Sequence, residues 1–133
     1  MFQGTMTKIA DAAQAIQHLL VKFGSDADHI AVAGVADAPV GVCNDTPSIN
    51  EHTNVLLLGC AKESITMVAS DAIAVGARVF AAASGKISGL PDPVVAAADY
   101  FCVGVALEAA AEDGDEIQID TCIPFTVAVA AAG

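Results

Sequence analysis

The stretch "GVALEAAAEDGDEIQID", residues 104–120, decides how this chain folds. Its middle, Ala106 to Asp113, is built from Ala, Leu and Glu, the best helix formers, and by propensity alone reads as a helix. Its flanks, Tyr100 to Val105 and Glu116 to Asp120, alternate apolar with polar or small residues, as a half-buried strand does. Gly114 followed by Asp115 supplies a turn that tolerates positive φ. The reading adopted is a strand from Val103 to Glu108, a small-residue connection that leaves room for one helical turn at Ala109 to Glu112, a turn at Gly114-Asp115, and a strand from Glu116 to Asp120.

An internal echo supports that reading. "PVGVCNDTPSINEHTNVLLL" (39–58) lies beside "CVGVALEAAAEDGDEIQI" (102–119). Each has V-G-V, an acidic residue four positions after the glycine (Asp45, Glu108), a connection, and then an apolar run. The first connection contains Pro47 and Asn50, which disfavour a helix. If the copies are equivalent, Ala109 to Ala111 also occupy a turn region.

The rest of the chain repeats the pattern of short strands and short connections. Leu19 to Phe23 and His29 to Ala33 flank the turn formers Gly24, Ser25, Asp26 and Asp28, predicting a hairpin. Further strands are expected within 38–45 and 54–59, at 64–69, at Arg78 to Ala82 after a bend at Val75-Gly76, and at Lys86 to Ser88 after a turn at Ser84-Gly85. The prolines of "GLPDP" (89–93) mark a loop. Residues 5–17, "TMTKIADAAQAIQ", place Ile9, Ala13 and Ile16 near helical spacing, and a short helix or an arm that orders on binding fits them equally well. Turn-bounded strands at this density predict a mainly β, single-domain barrel or sandwich.

At 133 residues the chain suits one domain with a sizeable core. It is 55% hydrophobic but only 5% aromatic, and alanine supplies much of the apolar share. The core should therefore be thin, with Phe23, Phe80, Tyr100, Phe101 and Phe125 as its bulky candidates. The formal charge of −11, from 16 acidic and 5 basic residues, argues against binding to nucleic acid phosphates or anionic membranes and for a solvated, self-repelling surface. Cys43, Cys60, Cys102 and Cys122 form no CxxC pair and have no histidine at zinc spacing, and read as small buried hydrophobes of a reduced compartment. Disulfides stay open as an alternative, with three connectivities. The N-terminus has no apolar signal region, and the run from Phe125 to Ala132 is too short to span a bilayer, so the chain reads as soluble and made in the cytoplasm.

No arrangement of residues reads as an enzyme site: no catalytic, cofactor-binding or metal-ligating set is assigned. His18, His29 and His52 are scattered and expected at surfaces or strand edges. Asp26 and Asp28, and Asp113, Asp115 and Glu116, lack the spacing of a calcium loop and read as turn acids. The Ser, Asp and His of "GSDADHIAVAG" are adjacent in sequence, which is not the geometry of a triad. "ASGK" (83–86) resembles the end of a phosphate-binding loop, but the G-x-x-x-x-G-K-[ST] spacing is absent and Ile87 replaces the hydroxyl residue. Glu112 and Asp113 belong to a solvated turn, where nothing raises a carboxyl pKa for acid catalysis. An acidic, β-rich chain without a site is a binding or structural module.

Two segments carry a resemblance. "SDAIAVGARVFAAASGKIS" and "YFCVGVALEAAAEDGDEIQID" resemble the small capsid cement, or head decoration, proteins of tailed bacteriophages. The first matches their pattern at Ile73, Gly76, Val79, Ala82, Gly85, Lys86 and Ile87. The second matches at Val103, Gly104, Val105, Ala106, Leu107, Glu108, Ala109, Ala110, Gly114, Asp115, Ile117 and Ile119. "LLVKFGSDADHIAVAG" and "APVGVCNDTP" are similar to the family's first half, so the resemblance covers most of 18–120. It is a pattern of turns and strands, not a chemical signature. Two departures stand out: Ala77 follows Gly76 where Asp is usual, and the tail "TCIPFTVAVAAAG" is longer and more apolar than the family pattern.

The resemblance implies a non-enzymatic virion protein, needing no cofactor, that binds the outer surface of an assembled capsid. It would bridge neighbouring major capsid subunits, usually as a homotrimer, and bind neither nucleic acid nor membrane. The expected organisation is an N-terminal arm, extended or short-helical, at 1–17, and a β-rich decoration domain of β-clip or β-tulip type at 18–133. The apolar residues 123–132 are expected to be buried between subunits. Two competing readings are another virion attachment protein, such as a head-fibre base or tail component, and a β-clip small-molecule binding or enzyme module, to which "DAIAVGARVF" is also similar.

Overall fold

A computed structural model describes residues 5–35, 37–60, 63–89 and 98–129. Ten strands follow one another: β1 Thr5–Ala10, β2 Leu19–Phe23, β3 His29–Val32, β4 Gly41–Cys43, β5 His52–Leu57, β6 Ile65–Val68, β7 Arg78–Ala81, β8 Ile87–Ser88, β9 Ala98–Ala106 and β10 Glu116–Val129. A single 3-10 turn, Ala83–Gly85, is the helical element among the described residues. The expected hairpin at 19–33 is present as β2 and β3. The expectation of a loop at 89–93 lies mostly outside the described residues.

The strands form one motif twice. β1 to β5 make a closed barrel in the order β1-β3-β2-β4-β5, and β6 to β10 make a sheet in the order β6-β10-β9-β7-β8. Replacing each strand of the first half by the one five places later reproduces the second. Closure also corresponds: β1 runs parallel to β3 in the first half, and an isolated parallel bridge, Ala69 to Ile87, stands at the same place in the second.

Backbone hydrogen bonds repeat in the same places. Asp11 N–H donates to Ile30 O, and Ser70 N–H to Ile87 O. Ala10 N–H donates to Glu51 O while Asn50 N–H donates to Ala10 O, and Ala69 N–H donates to Asp115 O while Gly114 N–H donates to Ala69 O. Asn50 (φ 65) and Gly114 (φ 94) share the left-handed conformation that starts the last strand of each half. The V-G-V echo marks the same equivalence. Gly41 pairs with Leu57 and Gly104 with Thr121, and a Cβ at either glycine would run into a carbonyl oxygen of the partner strand, that of Leu56 or Asp120.

Packing follows the period of two along each strand. Val21, Ile30, Cys43 and Val55, with Met6 against them, fill the first barrel. Their neighbours Leu20 and Val42 point the other way and join Ala33 and Leu58 in one cluster with Ile65, Met67, Ile73, Val79, Ile87, Val103, Ile117 and Ile119 of the second half. Leu19 to Val21 of β2 and all of β4 are therefore covered on both faces, and so those stretches carry no charged residue. Gly85 locks the halves together: its N–H donates to Ala33 O at 2.8 Å, and a Cβ there would lie 2.8 Å from Val32 Cγ1 and 2.9 Å from Leu19 Cβ.

Three expectations change. Residues 5–10 are neither helix nor free arm, because "TMTKIA" alternates outward and inward side chains and pairs along β5 from Thr5↔Leu56 to Ile9↔His52. Of the five bulky core candidates only Phe80 is buried; Phe23 and Phe125 are exposed and Tyr100 and Phe101 half-buried, so β-branched residues and leucine build the core. Cys43 and Cys102 are buried as expected, but Cys122 is half-buried and Cys60 exposed, and all four are free thiols.

Candidate docking surface

The alanines of the 104–120 stretch are held without a helix. β9 ends at Ala106, and Ala110 forms an antiparallel bridge with Ile73, each N–H donating to the other's carbonyl at 2.9 Å. Asp115 Oδ2 accepts from the N–H groups of Ala111 (2.7 Å) and Glu112 (3.1 Å), and Glu108 Oε1 accepts from Gln118 N–H (2.9 Å). Lys86 Nζ reaches Asp113 Oδ1 at 2.7 Å. Ala110 is thereby turned inward and buried, while Ala109 and Ala111 face solvent. Beside them, Gly76 N–H donates to Ala106 O at 2.8 Å; the residues flanking this bond, Val75 (65% exposed) and Leu107 (50% exposed), are both open to solvent. The loop thus presents small and apolar side chains on a braced backbone, with little conformational freedom left to lose on contact.

The first half has the corresponding loops in more polar form. Buried Gln14 ties 14–16 to 43–45: its side-chain Nε2 donates to the carbonyls of Ile16, Cys43 and Asp45 at 2.8 to 3.1 Å. Gln14 N–H donates to Pro47 O as Ile73 N–H does to Ala110 O. Ile16 and Ile49 are exposed here. Sequence reading had not singled out Gln14, which carries no motif; its role rests on carbonyls some 30 residues away that only the fold brings within reach.

The residues weighed as chemical sites stay apart. His18 Nδ1 meets Asn44 Oδ1 at 2.8 Å, His29 Nδ1 meets Asp26 Oδ1 at 2.6 Å, and His52 is exposed at the start of β5. The Asp26 hydrogen bond raises the pKa of His29, and the same bond lowers that of Asp26. Asp37 is lowered by the Gly34 N–H and then by Lys22, 2.9 Å away. Burial, with Cys102 beside it, pushes the Cys122 thiol up. Ala83–Gly85 is a tight turn whose Gly85 N–H is taken up by Ala33 O. Among the described residues no group of three or more His, Cys, Asp or Glu converges as a metal site. The two concavities described, one lined by Thr5, Asn44, Asp45, Asn54 and Leu56 and one by Ala77, Arg78, Phe80, Gly89 and Val127, are open to solvent.

What the fold offers is a braced all-β body with exposed small and apolar loops. A phage cement protein family model matches residues 3–121, and the chain belongs to that family. The match spans both halves. Among solved structures, the head fibre gp8.5 N base of bacteriophage phi29 has a similar fold, with a TM-score of 0.65 at 20% identity over 86% of this chain and 90% of that one. No curated protein sequence matches significantly.

Proposed function

We propose that this chain is a structural protein of the phage virion that binds the outer surface of the assembled capsid and cements neighbouring major capsid subunits. The observation that carries this reading is the family match across both halves of the duplicated fold. The loop around Ala109 to Ala111, with Val75 and Leu107, is the face placed against the shell. Small side chains there permit close backbone approach over a flat contact. The net charge of −11 keeps the particle surface solvated; a protein lining packaged DNA would carry the opposite sign. The protein acts as a homotrimer, without cofactor or catalysis, and reaches the shell after synthesis in the host cytoplasm.

The fold shared with the head fibre base favours one second reading, in which this domain anchors a longer appendage. Purified protein mixed with expanded, undecorated capsids tests both. Saturable binding at one fixed ratio to the major capsid protein over the whole shell supports cement. Binding at a few positions per particle supports the fibre base, and no binding removes both.

A further inference from the structure

β9 and β10 lose register at one place. Gly104 pairs with Thr121 and Cys102 with Phe125, so Cys122, Ile123 and Pro124 bulge opposite Val103 and the ladder between the strands is interrupted. Two cysteines stand at the interruption, one on each strand. Cys102 is buried and Cys122 half-buried, and both are free thiols. Counting from the matched pairs Gly41–Gly104 and Asn50–Gly114, Pro39 and Leu58 hold these places in the first half, so the thiol pair belongs to the second half alone.

The bulge turns Cys122 toward Cys102. Cys122 Sγ donates to Cys102 O at 3.8 Å, and Cys102 Sγ donates to Gly104 O at 3.9 Å. A sulfur so close to the Cys102 backbone is within a side-chain rotation of the Cys102 sulfur, and a disulfide spans Cα separations up to about 6.8 Å. Burial, then the Cys102 thiol, and more weakly Asp120, hold the pKa of Cys122 up. The other two cysteines are placed differently. Cys43 lies in the first barrel with its Sγ 3.3 Å from Thr53 Oγ1, and Cys60 is exposed on the loop whose Gly59 N–H donates to Thr121 Oγ1 at 3.1 Å.

We propose that Cys102 and Cys122 are a redox modification site, closed to an intramolecular disulfide by a small-molecule disulfide of the oxidised glutathione class. The Cys122 thiolate, the less buried of the two, attacks one sulfur of the reagent and releases one thiol, leaving a mixed disulfide. Cys102 loses its proton and attacks the Cys122 sulfur, the protein disulfide forms, and the second thiol leaves. The protein gives up two protons and two electrons, and the reagent takes them up as two thiols. Because the thiolate is scarce at neutral pH, closure is slow. The bridge joins residues 20 apart around the Ala109 to Ala111 loop, ties the strands where their ladder is broken, and restricts the unfolded chain. A chain folded in a reducing cytoplasm and carried out on a particle meets oxidising surroundings only after release. That use alone rests on the cement reading; the chemistry is tested without a capsid.

The full chain is incubated folded with oxidised glutathione at mildly alkaline pH, its remaining thiols are blocked, and it is digested without reduction for peptide mapping by mass spectrometry. One joined peptide contains Cys102 and Cys122, no joined peptide contains Cys43 or Cys60, and the thermal midpoint rises by about 5 °C or more. Cys60→Ser keeps both results and loses the mass of two hydrogens; Cys122→Ser loses both results. Cys102 and Cys122 both found blocked, glutathione retained on Cys122, a bridge through Cys43 or Cys60 or between two chains, or a cross-linked chain whose midpoint does not rise overturns the inference. Should Cys122→Ser fail to fold, the peptide map of the native chain still decides. None of these outcomes bears on capsid binding, which the mixing experiment with capsids decides separately.

Discussion

The first half of the molecule, Thr5 to Leu57, closes on itself, with β1 bridging β3 and β5. The second half uses the same strand order, but among the described residues it is closed by an isolated bridge between Ala69 and Ile87, and its last two strands run out into an extended hairpin. The same topology therefore serves two ends. One copy has its own small core of Val21, Ile30, Cys43 and Val55, while the core of the other is continuous with residues of its neighbour. Gly85, at the end of the turn Ala83–Gly85, is buried against the first half, whereas the counterpart turn at 24–28 is largely exposed. The contact between halves is thus not symmetric even though the halves are alike.

The equivalence is broken most severely at the paired glycines. Gly41→Val and Gly104→Val each drive a side chain into a backbone carbonyl that cannot step aside, and each is expected to cost at least about 3 kcal/mol. Urea unfolding checks this, and a tolerated valine at one site alone would show the halves to be less alike than their hydrogen bonds imply. Next come Ile30→Ala and Ile87→Ala, at matching places but in different cores. Both should lose about 2–5 kcal/mol, with Ile87 at the upper end because its cluster joins the two halves.

A smaller effect separates Asp115 from Glu51. Asp115→Ala removes the acceptor of two backbone N–H groups and should cost about 1 kcal/mol. Glu51→Ala, at the equivalent position without such a side-chain bond, should change stability by less than about 0.5 kcal/mol. Unfolding midpoints measured side by side test the contrast.

The smallest effect is confined to the first half, whose turn holds the Asp26–His29 pair. The pKa of Asp26 is lowered from 3.8, so its contribution is present above 3.8 and lost as pH falls through the lowered value. That of His29 is raised from 6.5, so its contribution is full below 6.5 and lost as pH rises through the raised value. Between those limits the pair is intact. Proton NMR titration should show His29 moving down toward 6.5 in Asp26→Asn, and no movement would contradict the assignment.

Much of this fold was legible from residue pattern. β2, β3, β6 and β7 stand within a residue or two of their expected places, Gly114 turns the chain with positive φ, and β10 begins at Glu116 as read. The V-G-V echo pointed to a duplication whose extent it did not show. The two copies share backbone conformations more than side chains: His18 (φ 66) stands where Gly76 (φ 83) does, and Asn50 where Gly114 does. Such matches are invisible to a comparison of letters. β1 was hidden for a different reason. Its alternation is short, it runs straight into the Ala- and Gln-rich 10–17, and the strand that stabilises it lies more than 40 residues away. Of the candidate surface, the alanine loop was visible in sequence as small residues, but its link to the Val75 turn, through the Gly76 to Ala106 hydrogen bond, was not.

Cementing differs from mere attachment in what it does to the shell, and heating tests that directly. Expanded capsids saturated with this protein should rupture at a higher temperature than bare ones, and Val75→Asp with Leu107→Asp should return the rupture temperature to the bare value. Capsids that carry the protein at full occupancy yet rupture at the same temperature as undecorated ones would contradict the account.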